Sequence, residues 1–294
     1  MLRFAEYLEL QDFRDRTSGS YYRAMRILSE HYGKDPEGLS EVQLRAFFVH
    51  LRRDRKWAPK SCRQMLAAVK HFYRGMLHLG FESLDEIKAR DREVLPTVLS
   101  TEEVAQVIRA VPLLRYRMPL LVIYASGLRV RECIHLTVDD IDGEQNRLCI
   151  RDGKGGKDRY TILSTPVYEE LRRYWAIHRN PKWIFPAVGR GLRDSRGAAL
   201  HMRAAVDPMD TGSLRSHLLA AARKVGVSKK VTCHNLRHSF ATHLAAAGVP
   251  LHQLQSYLGH AHIETTTIYT HLTPINHIEA IGYVDKLVAP ILGR

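Results

Sequence analysis

The sequence has few cysteines, and their spacing builds neither a metal site nor a disulfide framework. The four cysteines among 294 residues are widely scattered, and no two of them form a Cys-x-x-Cys pair. This pattern argues against a zinc ribbon or a disulfide-rich domain and favours a reducing compartment. The four are Cys62, Cys133, Cys149 and Cys233.

Long apolar runs are lacking as well. The longest one, around residues 118–125, is far shorter than a helix that crosses a bilayer. The first ten residues include Arg3, Glu6 and Glu9, so they lack the apolar core of a signal peptide. We therefore expect a cytoplasmic protein with no membrane partner.

Acidic residues are in the minority. The chain has 44 Lys and Arg against 31 Asp and Glu, a formal net charge of +13. This balance favours a polyanionic partner, of which nucleic acid is the commonest. The alternative is a basic protein that has no such partner. A hydrophobic content of 45% is enough for a folded core in a chain of this length.

The chain divides into two predicted domains. Residues 1–84 are typical of a helical domain in which Ser40 caps one amphipathic helix and Pro59 opens another. The opposite faces of these helices carry Arg and Lys side chains that suit contacts with DNA phosphates. A charged stretch over 85–98 indicates a linker, and Ser100 begins a second domain over 99–294 with a predicted capping box.

The second domain is predicted to be mixed but mainly helical. Strand-like runs at 147–151 and 159–163 flank a glycine-rich hairpin loop, whereas residues 189–212 show little periodicity and predict a long loop. The expected fold class is therefore mostly α with a small β-sheet in the second domain.

Six residues of the second domain together suit the transesterification of a phosphodiester. Two arginines can clamp the non-bridging oxygens, a tyrosine with a reference pKa near ~10 can attack phosphorus, and a lysine can protonate the leaving oxygen. Histidines can move protons or hydrogen-bond the phosphate. A covalent tyrosyl phosphate would conserve the bond energy, so neither ATP nor a metal is needed. The six are Arg129, Lys157, His234, Arg237, His260 and Tyr269.

Each of these residues alone has an ordinary structural explanation. Tyr269 is one of thirteen tyrosines, and the loop with Lys157 lacks the Gly-Lys-Ser/Thr ending of a phosphate-binding loop. His260, His262 and His271 suggest a metal, but no His-Glu-x-x-His motif or carboxylate spacing supports one. We expect no metal and no cofactor.

The order of the six residues and their flanking sequences resemble the tyrosine recombinase (phage integrase) family over essentially the whole chain. The resemblance is closest to the Xer and integron-integrase branches, although the extra insertion of the integron branch is not clear here. The segments that carry it are GLRVRE, GKGGKDR, HNLRHSFATHL and YLGHAHIETTTIYTHL.

The resemblance implies a role for each of the six residues. Arg129 and Arg237 would bind the scissile phosphate, and Lys157 would be the general acid. His234 would assist proton transfer and His260 would hydrogen-bond the phosphate. Tyr269 would be the nucleophile.

The resemblance also implies an architecture and partners. The first domain would be a SAM-like core-binding domain that forms a DNA clamp with the catalytic domain. The enzyme would act in DNA recombination or integration, for instance of a mobile element. It would form a 3′-phosphotyrosine and a Holliday junction on double-stranded DNA with inverted-repeat core sites. It would act as a homotetramer, and an accessory recombinase or a DNA-bending protein could take part. An apolar C-terminal helix would dock into a neighbouring protomer, or else fold back on its own domain.

Three other functions remain open from the residues alone. A DNA-binding protein without strand cleavage would use only the basic helices. A type IB topoisomerase would share the chemistry but relax DNA without synapsis. A metal-dependent nuclease would lose its activity in the presence of a chelator.

Overall fold

The structure is a computed structural model that describes residues 2–13, 15–87, 97–151, 158–189, 195–259 and 277–293. Chain contacts divide it into two units, Met1–Val94 and Leu95–Arg294. Three predicted site residues, Lys157, His260 and Tyr269, lie outside the described residues, as does most of the predicted linker.

The described part of the first unit is helical. Ser40 caps its third helix, as predicted, and the structure adds a capping box with Gln43. The buried apolar face of this helix runs from Leu44 to Leu51. The fourth helix continues into a π-helical segment over His71–Met76. The helices are α1 (Leu2–Leu10), α2 (Asp15–Tyr32), α3 (Glu41–Arg53), α4 (Pro59–Lys70) and α5 (Ser83–Glu86).

Helix α5 changes the interpretation of the basic faces. Asp85, which we placed in the linker, accepts hydrogen bonds from Lys70 at 2.8 Å and from Arg74 at 2.6 Å. Glu86 pairs with Arg45 at 2.7 Å. Three side chains that the sequence assigned to phosphate contacts are therefore bonded within their own unit. The sequence missed these pairs because each joins residues far apart in the chain.

The second unit combines a helical core with a three-stranded antiparallel sheet in the order β1-β2-β3, in which Leu148 pairs with Thr161. The predicted fold class is confirmed. The strands are β1 (Ile141–Asp142), β2 (Arg147–Ile150) and β3 (Arg159–Ile162). The described helices are α6 (Thr101–Arg109), α7 (Leu114–Ser126), α8 (Val130–Ile134), α9 (Thr165–His178), α10 (Ser195–Ala204), α11 (Thr211–Lys224), α12 (Cys233–Ala246), α13 (Leu251–Leu258) and α14 (His277–Leu292).

Helices α7 and α12 form the centre of this unit. Every residue from Met118 to Ser126 of α7 is buried. Helix α12 packs against α7 and buries the predicted stripe of Leu236, Phe240 and Leu244. Helix α12 carries two of the predicted site residues, His234 and Arg237. The packing of α12 in the core therefore fixes the position of the helix that presents them.

The predicted loop over 189–212 is wrong in its middle part, because α10 (Ser195–Ala204) lies there. The buried Asn180 side chain holds the end of this helix by donating to the carbonyl oxygens of Met202, at 2.8 Å, and Ala205, at 2.9 Å. Its own oxygen accepts from the backbone N–H of Trp183 at 2.7 Å. The helix thus depends on a cap about twenty residues upstream in sequence, which local periodicity cannot reveal.

Helix α14 folds back on its own unit. Its residues Ala280, Val284, Val288 and Ile291 are buried and join the core of the second unit. Docking into a neighbouring protomer stays a prediction. Among the described helices, none has the length and apolar character needed to cross a membrane.

Asn180→Asp should lower the free energy of unfolding by about 3 kcal/mol, because a buried carboxylate would face carbonyl oxygens that now receive N–H groups. Urea denaturation measures the change. The control is Asn146→Asp. The Asn146 side-chain oxygen accepts a hydrogen bond from the Thr165 hydroxyl at 3.2 Å, and a carboxylate oxygen can accept the same bond. An unchanged midpoint for Asn180→Asp would contradict the capping role.

Candidate active site

The turn between α7 and α8 presents Arg129. Gly127 ends α7 in the left-handed conformation at φ 65°. A Cβ atom there would lie 2.5 Å from the Phe240 ring, so both backbone angle and packing require glycine. Arg129 then occupies the N-cap position of α8, where its backbone N–H donates to Glu132 Oε2 at 2.7 Å.

Helix α12 supplies the second arginine. Arg237 is 3% exposed, and its guanidinium donates to the carbonyl oxygens of Gly127 at 2.9 Å and Leu258 at 2.6 Å. His234 lies one turn earlier on the exposed start of the same helix, where its Nε2 is 2.9 Å from Nε2 of His238. The guanidinium is therefore held by backbone, whereas the imidazole is accessible.

One carboxylate joins the arginines. Glu132 Oε1 accepts from Arg129 Nη1 at 2.6 Å, and its two oxygens accept from Arg159 at 3.0 and 2.8 Å. Nη1 of Arg237 lies 3.5 Å from Oε2 of the same carboxylate. The Glu132 side chain is only 10% exposed. We call Glu132 with these three arginines the arginine cluster.

The C-terminal end of α13 completes the cluster. The Tyr257 carbonyl oxygen accepts a hydrogen bond from Arg159 Nε at 3.0 Å, and the Gly259 carbonyl oxygen accepts one from Arg129 Nη2 at 3.2 Å. The Leu258 carbonyl oxygen, between them in sequence, is the one that binds Arg237. The last carbonyls of a helix have no partner within it and carry its negative dipole end, so they suit cations. Gly259 has φ 61°, and a Cβ atom there would lie 2.7 Å from Arg159 Cδ.

The charge of the cluster suits an anion. Burial raises the pKa of the Glu132 carboxyl, but hydrogen bonds and charge from Arg159 and Arg129 outweigh it and lower the pKa to about 2. The carboxylate is therefore ionised, and three guanidiniums with one carboxylate leave two net positive charges. Forked guanidiniums of this kind recognise phosphate oxygens. Within the described ranges, no three His, Cys, Asp or Glu side chains are grouped to hold a metal ion.

The structure brings Arg129 and Arg237 into one cluster, with His234 on the same helix as Arg237. The sequence did not identify Glu132 or Arg159 as site residues. Glu132 had a local signal, because an acid three residues after an N-cap is typical of a capping box. Arg159 ends the GKGGKDR segment, but no local pattern pairs it with Glu132, which is 27 residues away.

Two family models match the chain. The model of the phage integrase family matches residues 97–275, which contain the arginine cluster, and the model of the phage integrase N-terminal SAM-like domain matches residues 1–80. The chain belongs to the phage integrase family. This family of tyrosine recombinases is a class of enzymes that transfer DNA strands.

Individual relatives agree with this membership. The recombinase is 32% identical to the tyrosine recombinase XerA of Pyrococcus horikoshii, with 99% of this chain and 94% of XerA covered. Its fold resembles a lambda integrase dimer bound to a core site, with a TM-score of 0.72, 15% identity, and 94% and 97% of the chains covered. It also resembles a lambda integrase tetramer bound to a Holliday junction, with a TM-score of 0.70, 16% identity, and 92% and 75% covered.

Glu132→Gln should reduce stability in a pH-dependent way. Folding lowers the pKa of this carboxyl from 4.5 to about 2, a shift worth about 3 kcal/mol. That contribution is fully present above the unfolded pKa and is lost as pH falls toward 2. The stability gap between wild type and Glu132→Gln should therefore narrow from pH 5 to pH 2, as measured by urea denaturation.

The exposed Glu144 provides the control, because Glu144→Gln removes a carboxylate of the same unit outside the cluster. A gap between wild type and Glu132→Gln that stays constant over this range would contradict the assigned ionisation.

Proposed function

We propose that this tyrosine recombinase cleaves and rejoins DNA strands through a covalent 3′-phosphotyrosine formed by Tyr269. The observation that carries the proposal is the arginine cluster, which holds Arg129 and Arg237 next to each other with net positive charge. A scissile phosphate bound there would accept hydrogen bonds from both guanidiniums. Negative charge that develops on the non-bridging oxygens during attack would be stabilised by the same groups.

In the proposed reaction, the phenolic oxygen of Tyr269 forms a bond to phosphorus, and the bond from phosphorus to the 5′ oxygen breaks. Lys157 gives its proton to that leaving oxygen, which becomes a 5′-hydroxyl. His234 accepts or returns the tyrosine proton, and His260 hydrogen-bonds the phosphate. These roles follow from the match of each residue to the family motifs. No water or nucleotide is consumed, so a 5′-hydroxyl from another strand can reverse the step.

We further propose that two duplexes with inverted-repeat core sites are joined by a homotetramer, through a Holliday junction. The supporting observation is the fold shared with lambda integrase, which has been seen as a tetramer on such a junction. An exchange reaction requires a cognate site on each duplex. Relaxation of supercoiled DNA that lacks any such site would indicate a topoisomerase instead.

Tyr269→Phe should abolish covalent capture of a suicide substrate, because the phenolic oxygen is the proposed nucleophile. The substrate is a nicked duplex bearing an inverted repeat chosen from the DNA that flanks the gene, and the readout is a protein–DNA band that survives denaturation. Tyr160→Phe, which removes the same hydroxyl from an exposed tyrosine of β3, is the matched control and should retain capture. Capture by Tyr269→Phe would refute the assignment.

Arg129→Lys should slow cleavage by about 100-fold or more, because an ammonium cannot replace a forked guanidinium that binds Glu132, Gly259 and a phosphate together. Arg131→Lys is the control, since Arg131 is exposed on the same helix. Single-turnover cleavage rates at saturating protein measure the effect. A rate for Arg129→Lys equal to that of Arg131→Lys would contradict a phosphate-clamping role.

A further inference from the structure

Arg159 is the third guanidinium of the arginine cluster, and its hydrogen bonds are made to other groups of the protein. It begins β3 and its side chain is 9% exposed. Two of its nitrogens donate to Glu132, and its Nε donates to the Tyr257 carbonyl oxygen. Its Cδ packs against the backbone of Gly259. All three guanidinium nitrogens of Arg159 therefore already have an acceptor within the protein.

The contacts of Glu132 show what Arg159 does for the other two arginines. Arg159 occupies both carboxylate oxygens, at 3.0 and 2.8 Å, while Arg237 stays 3.5 Å away. Without Arg159, the full negative charge of Glu132 would be shared by Arg129 and Arg237 alone. Oε2 would then be open to a short hydrogen bond from Arg237, which would draw that guanidinium toward the carboxylate.

We propose that Arg159 is a positioning residue that neutralises Glu132, so that Arg129 and Arg237 keep their positive charge for the scissile phosphate. The inference rests on the proposed function, because it concerns the phosphate of that reaction. A phosphodiester carries one negative charge, and attack by a phenolate adds a second. The two net positive charges of the intact cluster match this transition state.

Loss of Arg159 would leave one net positive charge, which suits the bound phosphodiester better than the transition state. Arg159→Met should therefore slow single-turnover cleavage by about 100-fold, the usual cost of losing one preorganised charge-stabilising group. DNA affinity should change little, because Arg159 is buried and other basic residues supply the contacts with the backbone. A purely structural role would instead lower affinity and cleavage together with thermal stability.

The decisive experiment is a double-mutant cycle with Glu132→Gln. The double variant Arg159→Met/Glu132→Gln again has two positive charges in the cluster, so it should cleave faster than Arg159→Met. Arg147→Met is the control, because it removes an arginine paired with Asp142 in the same sheet but outside the cluster. It should cleave at nearly the wild-type rate. All variants are compared at saturating protein on the same nicked substrate, with thermal unfolding and DNA affinity measured in parallel.

The outcomes separate this inference from the proposed function. If wild-type protein forms no covalent complex, the proposed function fails. If wild type does so but Arg159→Met cleaves normally, or the double variant is no faster than Arg159→Met, the neutralising role is refuted. Arg159→Gln gives the same comparison if Arg159→Met does not fold, because it removes the charge but keeps a hydrogen-bond donor for Glu132.

Discussion

The contact between Glu132 and three guanidiniums is the interaction on which the active site depends. A carboxylate that is 10% exposed would be costly to bury alone, and so would three arginines. Their mutual attraction, together with the carbonyl oxygens at the end of α13, makes the arrangement stable while leaving net positive charge. Because the partners come from the α7–α8 turn, β3, α12 and α13, the cluster also fixes how these elements meet.

This arrangement of the arginines depends on the C-terminal ends of helices α7 and α13. Gly127 and Gly259 both stop a helix in the left-handed conformation, at φ 65° and φ 61°. The carbonyl oxygens at these ends, of Gly127, Leu258 and Gly259, accept hydrogen bonds from Arg237 and Arg129. A side chain at either position would also collide with a neighbour, with Phe240 at Gly127 and with Arg159 at Gly259. Gly127 and Gly259 thus determine both the path of the backbone and the carbonyl oxygens that hold the arginines.

Sequence reasoning predicted what is local and missed what is distant. The cap at Ser40, the capping box at Ser100, the strands around the hairpin and the buried stripe of α12 follow from residues a few positions apart, and the structure confirms them. Helix α10 and the cluster role of Arg159 depend on partners 22 and 27 positions away in sequence, which no local pattern encodes. The catalytic roles of all six predicted site residues stay predictions.

The predicted site residues differ in how firmly the protein holds them. Arg237 is held by two backbone carbonyl oxygens, and Arg129 is held by Glu132 and Gly259. Such preorganised cations need little rearrangement when charge develops, which is the main source of electrostatic catalysis. His234, by contrast, lies on the exposed first turn of α12, where its Nε2 is 2.9 Å from Nε2 of His238. The role predicted for His234 is proton transfer, which requires a group that can change partners, and its exposed position on α12 suits that role.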